Sequence, residues 1–288
     1  MKYYINYSDK VFKKQQDFSL LMAVKKGKFD KIIGYSREDI DEKFHEESKN
    51  ILDQSKGGGY WLWKPYFIKK TLEKLNNSDY LFYSDSGAFF LKNVDILIEE
   101  LEKYNQDIMG FELPLIESQW TKKELFINMG CANEMYSKTN QVCASYILIR
   151  KTKFSVDFFD QYLKYGCNEV NITDSYDDNI EQDENFIDHR HDQSIFSLLY
   201  KKNNLRAFKD PSQLGKYPGG YSGSLKNDFE INKLYTLKNG RFFRQLSYKE
   251  NYRMILFHNR RDRPLVGYLK FYIKMFLCNF GLLKEVNV

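Results

Sequence analysis

Residues 57–87 read GGGYWLWKPYFIKKTLEKLNNSDYLFYSDSG, and this stretch decides the fold. Three glycines permit backbone conformations closed to other residues, so Gly57, Gly58 and Gly59 allow the chain to approach a ligand closely. Trp61 and Trp63 add flat faces with a polar edge. Pro65 suits a first helical turn, where a missing N–H costs nothing, and a helix over Pro65–Leu75 follows. Tyr80–Tyr83 is an apolar strand ending at Ser84, Asp85, Ser86 and Gly87. Asp85 thus stands where a buried parallel strand ends, and ligands gather at the carboxyl ends of such strands.

Working outward, Tyr3–Tyr7 reads as a first strand and Lys10–Lys26 as a helix, with Phe18, Leu21, Met22 and Lys25 at spacings of three and four. Asp30–Tyr35 reads as a second strand. Strand, helix and strand in some thirty residues predict a parallel βαβ unit and an α/β fold. Ser36, with Asp39 three positions on, caps a second helix running to about Gln54. The loop after Tyr35 is a place for a nucleotide base, touched by Ser36, Arg37 and Asp39; simple capping serves Ser36 and Asp39 equally well. Lys64, at a helix start beside glycines, either reaches a phosphate as a point charge or is solvated.

Downstream, Leu91–Tyr104 is helical and Asp107–Glu112 a strand that Pro114 breaks. The polar run from Glu117 to Lys123 reads as an irregular loop holding Trp120, a candidate acceptor platform. Gln141–Arg150 is a strand, Lys153–Tyr165 an amphipathic helix, and Asn168–Asp188 an acidic loop without the glycine a calcium loop needs. His189-Arg-His-Asp-Gln-Ser194 then leads into an apolar helix that Asp192 can cap; zinc on His189, His191 and Asp192 is the alternative by ligand type. Residues 210–224 are rich in turn formers, Asn239-Gly240 suggests a hairpin, and a strand at Ile255–His258 precedes Arg260, Arg261 and Arg263.

With 288 residues the chain can bury a substantial core, and 42% hydrophobic against 29% charged residues excludes a disordered chain. A net charge of +5 without a basic stripe argues against nucleic acid and accommodates diphosphates or an anionic membrane surface. The four cysteines contain no Cys-x-x-Cys, so free thiols in a reducing cytoplasm are expected. No secretory signal is apparent in the first residues. Residues 265–283 are apolar nearly all round, with Lys270 and Lys274 a turn apart, and read as a helix lying in a membrane interface or packed on the domain.

The combination of Gly59-Tyr-Trp-Leu-Trp-Lys-Pro65, Tyr83-Ser-Asp-Ser-Gly87, His191-Asp-Gln-Ser194 and Phe257-His-Asn-Arg-Arg261 resembles bacterial GT-A-type glycosyltransferases of capsule and lipopolysaccharide synthesis. It is distantly like the retaining family that includes glycogenin and lipopolysaccharide galactosyltransferases. The resemblance implies an α/β, Rossmann-like GT-A fold over residues 1–264, with a central, mostly parallel sheet flanked by helices, and a membrane-associating tail at 265–288. It implies transfer from a nucleotide-diphosphate sugar, UDP-linked by analogy, to a glycan or lipid-linked acceptor, at the inner face of the plasma membrane.

Carried onto this chain, the resemblance puts Tyr7, Ser36, Arg37, Gly59, Tyr60, Trp63, Lys64, Asp85, Ser86, Gly87, Arg260 and Arg261 at the donor, and Trp120 and His191 at the acceptor. Asp192 would bind donor hydroxyls and Gln193 would lie under the anomeric carbon; in an inverting enzyme Asp192 is instead the general base. Asp85 and His258 would hold Mn2+ or Mg2+. Gly87 stands where the family's metal-binding turn has its second Asp, and Ser194 where an Asp often follows the Gln. A carbohydrate-binding or scaffold protein and a metal-dependent phosphoesterase are the rival readings.

Overall fold

The structure, a computed structural model, describes residues 1–216, 234–236, 242–244, 250–259 and 264–279. Strand β1 (Lys2–Tyr7) leads through helix α1 (Lys13–Met22), extended by a wider turn over Ala23–Gly27, into β2 (Lys31–Tyr35). Helix α2 (Trp63–Leu72) returns to β3 (Tyr80–Ser84). Both β2 and β3 pair in parallel with β1, Tyr4 standing opposite Ile32 on one side and Phe82 on the other. The expected βαβ unit is therefore present and continues into the strand that carries Asp85.

After β4 (Ala88–Phe90) and α3 (Asp95–Lys103), the sheet gains β5 (Ile108–Ile116) and β6 (Asn140–Arg150). Strand β6 runs antiparallel to both β3 and β5. Helices α4 (Lys153–Gly166) and α5 (His191–Lys202) follow, then β7 (Leu234–Thr236), β8 (Phe242–Arg244), β9 (Leu256–His258) and α6 (Pro264–Asn279). The main sheet has the order β2-β1-β3-β6-β5-β8-β7, and β4 pairs with β9 in a separate two-stranded sheet. Five strands of the main sheet run one way and two, β6 and β8, run against them. This is the α/β class with a largely co-directional sheet that the sequence indicates.

Alternation along each strand builds a core on both faces of the sheet. Leu81, Tyr83, Ile147 and Ile149 join Phe67 of α2, Phe158 of α4 and Phe196 of α5 on one face. Phe82, Tyr146 and Leu148 join Leu97 and Leu101 of α3 on the other. Strand β5 is buried along its whole length, as a strand covered on both sides must be.

Several expectations change. The single helix after Ser36 is instead a 3-10 turn at Arg37–Asp39 and two short helices, Glu42–Glu47 and Lys49–Leu52. The capping interaction is real: the Ser36 N–H and hydroxyl both donate to Asp39 Oδ2 at 2.8 Å. Pro114 does not end β5; the register shifts between Glu112 and Ile116 absorb it, since a bulged segment needs no N–H at that position. The strands of the hairpin expected around Asn239-Gly240 pair as β7 and β8, while those two residues, like Arg260, Arg261 and Arg263, lie outside the described residues.

Helix α6 packs one face on the domain. Phe271 is buried against Phe89 and Phe257, with Tyr268 and Tyr272 beside them. Leu265, Leu269, Ile273 and Phe276 are exposed. Among the described residues no helix is long and apolar enough to cross a membrane.

Candidate functional site

The glycines open a turn of unusual hand. Five successive residues, Gly57, Gly58, Gly59, Tyr60 and Trp61, have φ between +51° and +98°. The Tyr60 N–H donates to the Lys56 carbonyl at 2.7 Å and the Trp61 N–H to that of Gly57 at 3.3 Å. This is one turn of left-handed helix, which L-residues resist by about 1–2 kcal/mol each. Glycine removes that penalty at three positions; Tyr60 and Trp61 bear it. Such local strain collects at functional sites.

The turn walls a cavity of about 370 Å³ together with the ends of β1 and β3. Gly57, Gly58, Trp61, Trp63, Tyr7, Asp85, Ser86 and His258 border it. Tyr7 and Trp63 stack at 3.9 Å between ring centres, and the Trp63 indole N–H donates to the Gly57 carbonyl at 3.0 Å, which fixes the wall. His258 arrives because β9 pairs with β4: Ala88 stands opposite His258, and the Asn259 N–H donates to the Gly87 carbonyl at 2.8 Å. Positions 85 and 258, far apart in sequence, therefore share one cavity.

Asp85 is held by its own strand and by β6: the Tyr83 hydroxyl donates to Oδ1 at 2.7 Å, and the Asp85 N–H to the Ser145 carbonyl of β6 at 2.7 Å. Behind it lies Lys64, buried, with Nζ 2.6 Å from Asp192 Oδ2 and 3.5 Å from Asp85 Oδ1. Asp192 also accepts from the Tyr162 hydroxyl at 3.3 Å. Burial pulls the Lys64 pKa down, but the two carboxylates more than offset it and leave it raised. Burial, together with the Asp85 charge, pushes Asp192 up against the pull of Lys64. With Nζ 2.6 Å from one carboxylate and 3.5 Å from another, Lys64 keeps its proton. Lys64 is thus an internal cation joining Asp85 to Asp192 rather than a solvated side chain reaching into the cavity.

Gln193 is half-buried, and its Nε2 donates to Gln141 Oε1 at 2.9 Å. Gln141 Nε2 donates in turn to Glu117 Oε1 at 2.9 Å, and Glu117 is fully buried, paired with Lys201 and accepting from Ser197 Oγ at 2.6 Å. A chain of side chains thus fixes the Gln193 amide beside Asp192. The polar run around Glu117 is therefore not an open loop: it forms short helices at Glu117–Trp120 and Lys123–Asn128 over this buried network.

That overturns the acceptor assignments. Trp120 is buried, with the Arg190 guanidinium 4.2 Å from its ring. His191 is also buried, its Nδ1 2.8 Å from the Ile172 carbonyl and its ring against Trp61. Neither presents a face to a second substrate. His189 is similarly spent on the Asn171 carbonyl at 2.8 Å. Burial lowers both imidazole pKa values, so these rings are neutral; they serve as braces, His189 through the Asn171 carbonyl and the Lys122 N–H and His191 through the Ile172 carbonyl, and among the described residues no group of three potential ligands gathers for zinc. His191, at φ +49°, is a second left-handed position and sits immediately before Asp192.

The remaining assignments divide. Gly59 is buried against Leu52 and does not border the cavity, although its neighbours do. Tyr60 turns away and donates to Asp174 Oδ2 at 2.9 Å, which also accepts from Lys56 at 2.9 Å, so the acidic loop clamps the glycine turn. Arg37 ties the loop below, donating to the Leu52 carbonyl at 2.9 Å and reaching Asp53 at 2.5 Å; neither it nor Ser36 borders the cavity. Ser8, Asp9, Phe12 and Ser55 border it without having been singled out. Ser8 and Asp9 had the same signal as Asp85, a polar pair directly after a buried strand.

Lys122 braces the same acidic loop. It is fully buried and donates to the Thr173 and Ser175 carbonyls at 2.8 and 2.7 Å. Burial lowers its pKa from 10.5 to about 8. Between those values the unfolded chain holds the proton more often than the fold, so this residue's contribution to stability rises with pH from 8 toward 10.5 and is lowest below 8. The denaturant midpoint of the native chain minus that of Lys122→Met should therefore increase between pH 7.5 and 9.5. A difference that is flat or falls would contradict the buried-ammonium account.

No family model and no curated protein matches the chain. Among solved structures it is similar to mouse xyloside xylosyltransferase 1 in its apo form, at 10% identity and a TM-score of 0.48, over 90% of this chain and 98% of that one. It is similar to the galactosyltransferase LgtC in complex with donor and acceptor sugar analogs, at 12% identity and a TM-score of 0.41, over 91% and 87%. It is also similar to the glycosyltransferase GlyE of Streptococcus pneumoniae, at 13% identity and a TM-score of 0.42, over 95% of this chain and 64% of that one.

Proposed function

We propose that the chain is a glycosyltransferase that takes a sugar from a nucleotide-diphosphate donor, UDP-linked in our reading, to a glycan or lipid-linked oligosaccharide of the cell surface. One observation carries the reading: Asp85, Lys64 and Asp192 form a buried charged relay at the carboxyl ends of β1 and β3, beside a cavity walled by a left-handed glycine turn and stacked aromatic rings. A flat nucleoside suits the aromatic wall. The glycine turn leaves room for a bulky diphosphate to approach the backbone. Asp192 is as buried as His191 and neither it nor Gln193 borders the cavity; Lys64 links Asp192 to Asp85 on the cavity's edge. We assign this pair, fixed by Lys64 and Gln141, to the sugar hydroxyls and the anomeric centre, Asp192 being the general base if the reaction inverts.

A divalent cation fits this donor set. Asp85 and His258 offer one carboxylate and one imidazole on the rim of a single cavity, and Mg2+ or Mn2+ bound through few protein ligands completes its shell with substrate phosphates. Gly87 adds no second carboxylate, and among the described residues no group of three His, Cys, Asp or Glu side chains is gathered for a metal. Asp85 and His258 would hold the ion, which when bound would stabilise negative charge growing on the departing diphosphate. Lys64 adds a permanent positive charge behind Asp85. We place the protein at the inner face of the plasma membrane, in contact through α6.

Release of nucleoside diphosphate from a panel of nucleotide sugars tests the reading. Asp85→Ala should lower turnover at least a hundredfold, a loss of about 2.7 kcal/mol in transition-state stabilisation, with a thermal midpoint close to native. EDTA should lower native turnover and leave the variant unaffected. Unchanged turnover in Asp85→Ala would contradict it. Phosphate release from a simple phosphoester with no sugar present would favour the phosphoesterase reading instead.

A further inference from the structure

The buried side chains behind Gln193 are bonded in one direction, and that direction starts at Glu117. Both carboxylate oxygens of this fully buried residue are supplied with donors. Oε1 accepts from the Thr121 hydroxyl at 2.6 Å and from Gln141 Nε2 at 2.9 Å, and Oε2 from the Ser197 hydroxyl at 2.6 Å and from the Lys201 ammonium. The two hydroxyls have their lone pairs engaged elsewhere: Ser197 Oγ accepts from the Val142 N–H at 2.9 Å, and Thr121 Oγ1 from Gln141 Nε2 at 3.2 Å. Their protons therefore go to Glu117, which only accepts.

The constraint passes along the chain. Gln141, also buried, has to turn its NH2 to Glu117 and Thr121, with the Trp120 carbonyl on the same side at 3.4 Å. The carboxylate is the strongest of these acceptors. The Gln141 carbonyl oxygen then faces Gln193, which has to offer its own NH2, at 2.9 Å. Gln193 Oε1 is left on the other side, where among the described residues only the Ala144 N–H reaches it, at 3.4 Å. The two ends of an amide are nearly the same size, so packing alone does not choose between its orientations; the hydrogen-bond partners do. The choice matters for chemistry. Cleaving the donor's anomeric C–O bond builds positive charge on that carbon, which a carbonyl oxygen stabilises and an NH2 group repels.

We propose that Glu117 is a positioning residue for sugar transfer: acting through Gln141, it holds Gln193 with its carbonyl oxygen, not its NH2, free for the anomeric centre. Glu117 itself does not border the aromatic cavity. The inference rests on the assignment of Gln193 to the anomeric centre made above.

Glu117→Gln tests it, because the change is isosteric and reverses the chain. The Lys201 ammonium draws the new carbonyl oxygen to its side, so the new NH2 faces Gln141, and both amides beyond it must turn over to stay bonded. In nucleoside diphosphate release with the donor varied, kcat should fall at least about tenfold while donor KM stays within about twofold of native. Glu117→Gln/Gln141→Glu moves the carboxylate one place along the chain, where it accepts from both neighbours, and should recover most of kcat. If that pair does not fold, Gln141→Met cuts the chain, and adding Glu117→Gln to it should lower kcat no further. Hydrogen exchange of the Gln193 NH2 needs no turnover. It is read by NMR in the full chain labelled with 15N-glutamine, the resonance being assigned by its loss in Gln193→Met. Exchange should quicken at least about tenfold in Glu117→Gln, whose Gln193 NH2 no longer donates to buried Gln141. Unchanged exchange in folded Glu117→Gln would overturn the proposal. So would a folded Glu117→Gln/Gln141→Glu that recovers nothing, or a further loss of kcat on adding Glu117→Gln to Gln141→Met. Quickened exchange in a protein whose native form turns over no nucleotide sugar would refute the transferase reading and uphold the orientation of Gln193 by Glu117.

Discussion

Replacing Lys64 by methionine should abolish turnover and lower stability by about 3–5 kcal/mol, because it removes one partner of a buried charge pair and leaves the other unpaired. Asp192 is buried with its Oδ2 2.6 Å from Lys64 Nζ. Without the ammonium it escapes the cost only by taking a proton, which raises its pKa further. The sign with pH follows. A carboxylate whose folded pKa lies above its unfolded value destabilises the fold once pH exceeds the unfolded value, and the cost disappears as pH falls below that value. The deficit of Lys64→Met should therefore be largest at pH 8 and shrink toward pH 4. Adding Asp192→Asn should restore most of the stability and none of the turnover. Chemical denaturation of the native chain and the two variants at both pH values measures this; a deficit independent of pH, or unrelieved by Asp192→Asn, would show that Lys64 matters for packing rather than charge.

Gly59→Ala and Gly58→Ala should separate backbone strain from ligand space. At Gly59, φ is +98° and an added Cβ would lie 2.7 Å from Leu52 Cα and 2.9 Å from its carbonyl oxygen. These are backbone atoms that cannot step aside, so the turn must unwind, at a cost of about 2 kcal/mol or more. At Gly58, φ is +60° and the nearest atoms to a Cβ are Trp63 Nε1 at 3.7 Å and the Tyr7 hydroxyl at 3.9 Å. That substitution should cost about 1 kcal/mol. It also places a methyl group in the cavity wall, so it should raise KM for the donor while stability falls little. Thermal melts and donor titrations of the pair distinguish the two; equal loss of stability would contradict the left-handed turn.

How much of this was legible in the chain depends on how local the cause is. Strands β1 and β3 and the residue after β3 follow from apolar runs and their ends, so the α/β frame and the placement of Asp85 can be read directly. The glycine run signals a special backbone, although its hand does not show, because Tyr60 and Trp61 continue the turn past the glycines, and Asp174, which holds the Tyr60 hydroxyl, lies 114 positions away. Lys64 had a visible clue: it is the one charge among Trp63, Pro65, Tyr66, Phe67 and Ile68, all buried. Its partner at 192 lies too far along the chain to be seen.

Trp120 and His191 misled for the same reason. Their polar surroundings imply a surface, yet Glu117 is neutralised by Lys201, 84 positions away, and a buried charged network looks from sequence like an exposed loop. His258 reaches Asp85 through the pairing of β4 with β9, a long-range contact with no local period to announce it.

Calorimetric titration of the native chain with UDP and with UMP, each with and without Mn2+, tests the central claim most directly. A cavity built around Asp85, His258 and the Lys64 relay to grip a diphosphate should bind UDP at least tenfold more tightly than UMP when Mn2+ is present, and Asp85→Ala should erase that difference. Binding of neither nucleotide, or an equal affinity for both that Asp85→Ala leaves untouched, would contradict it.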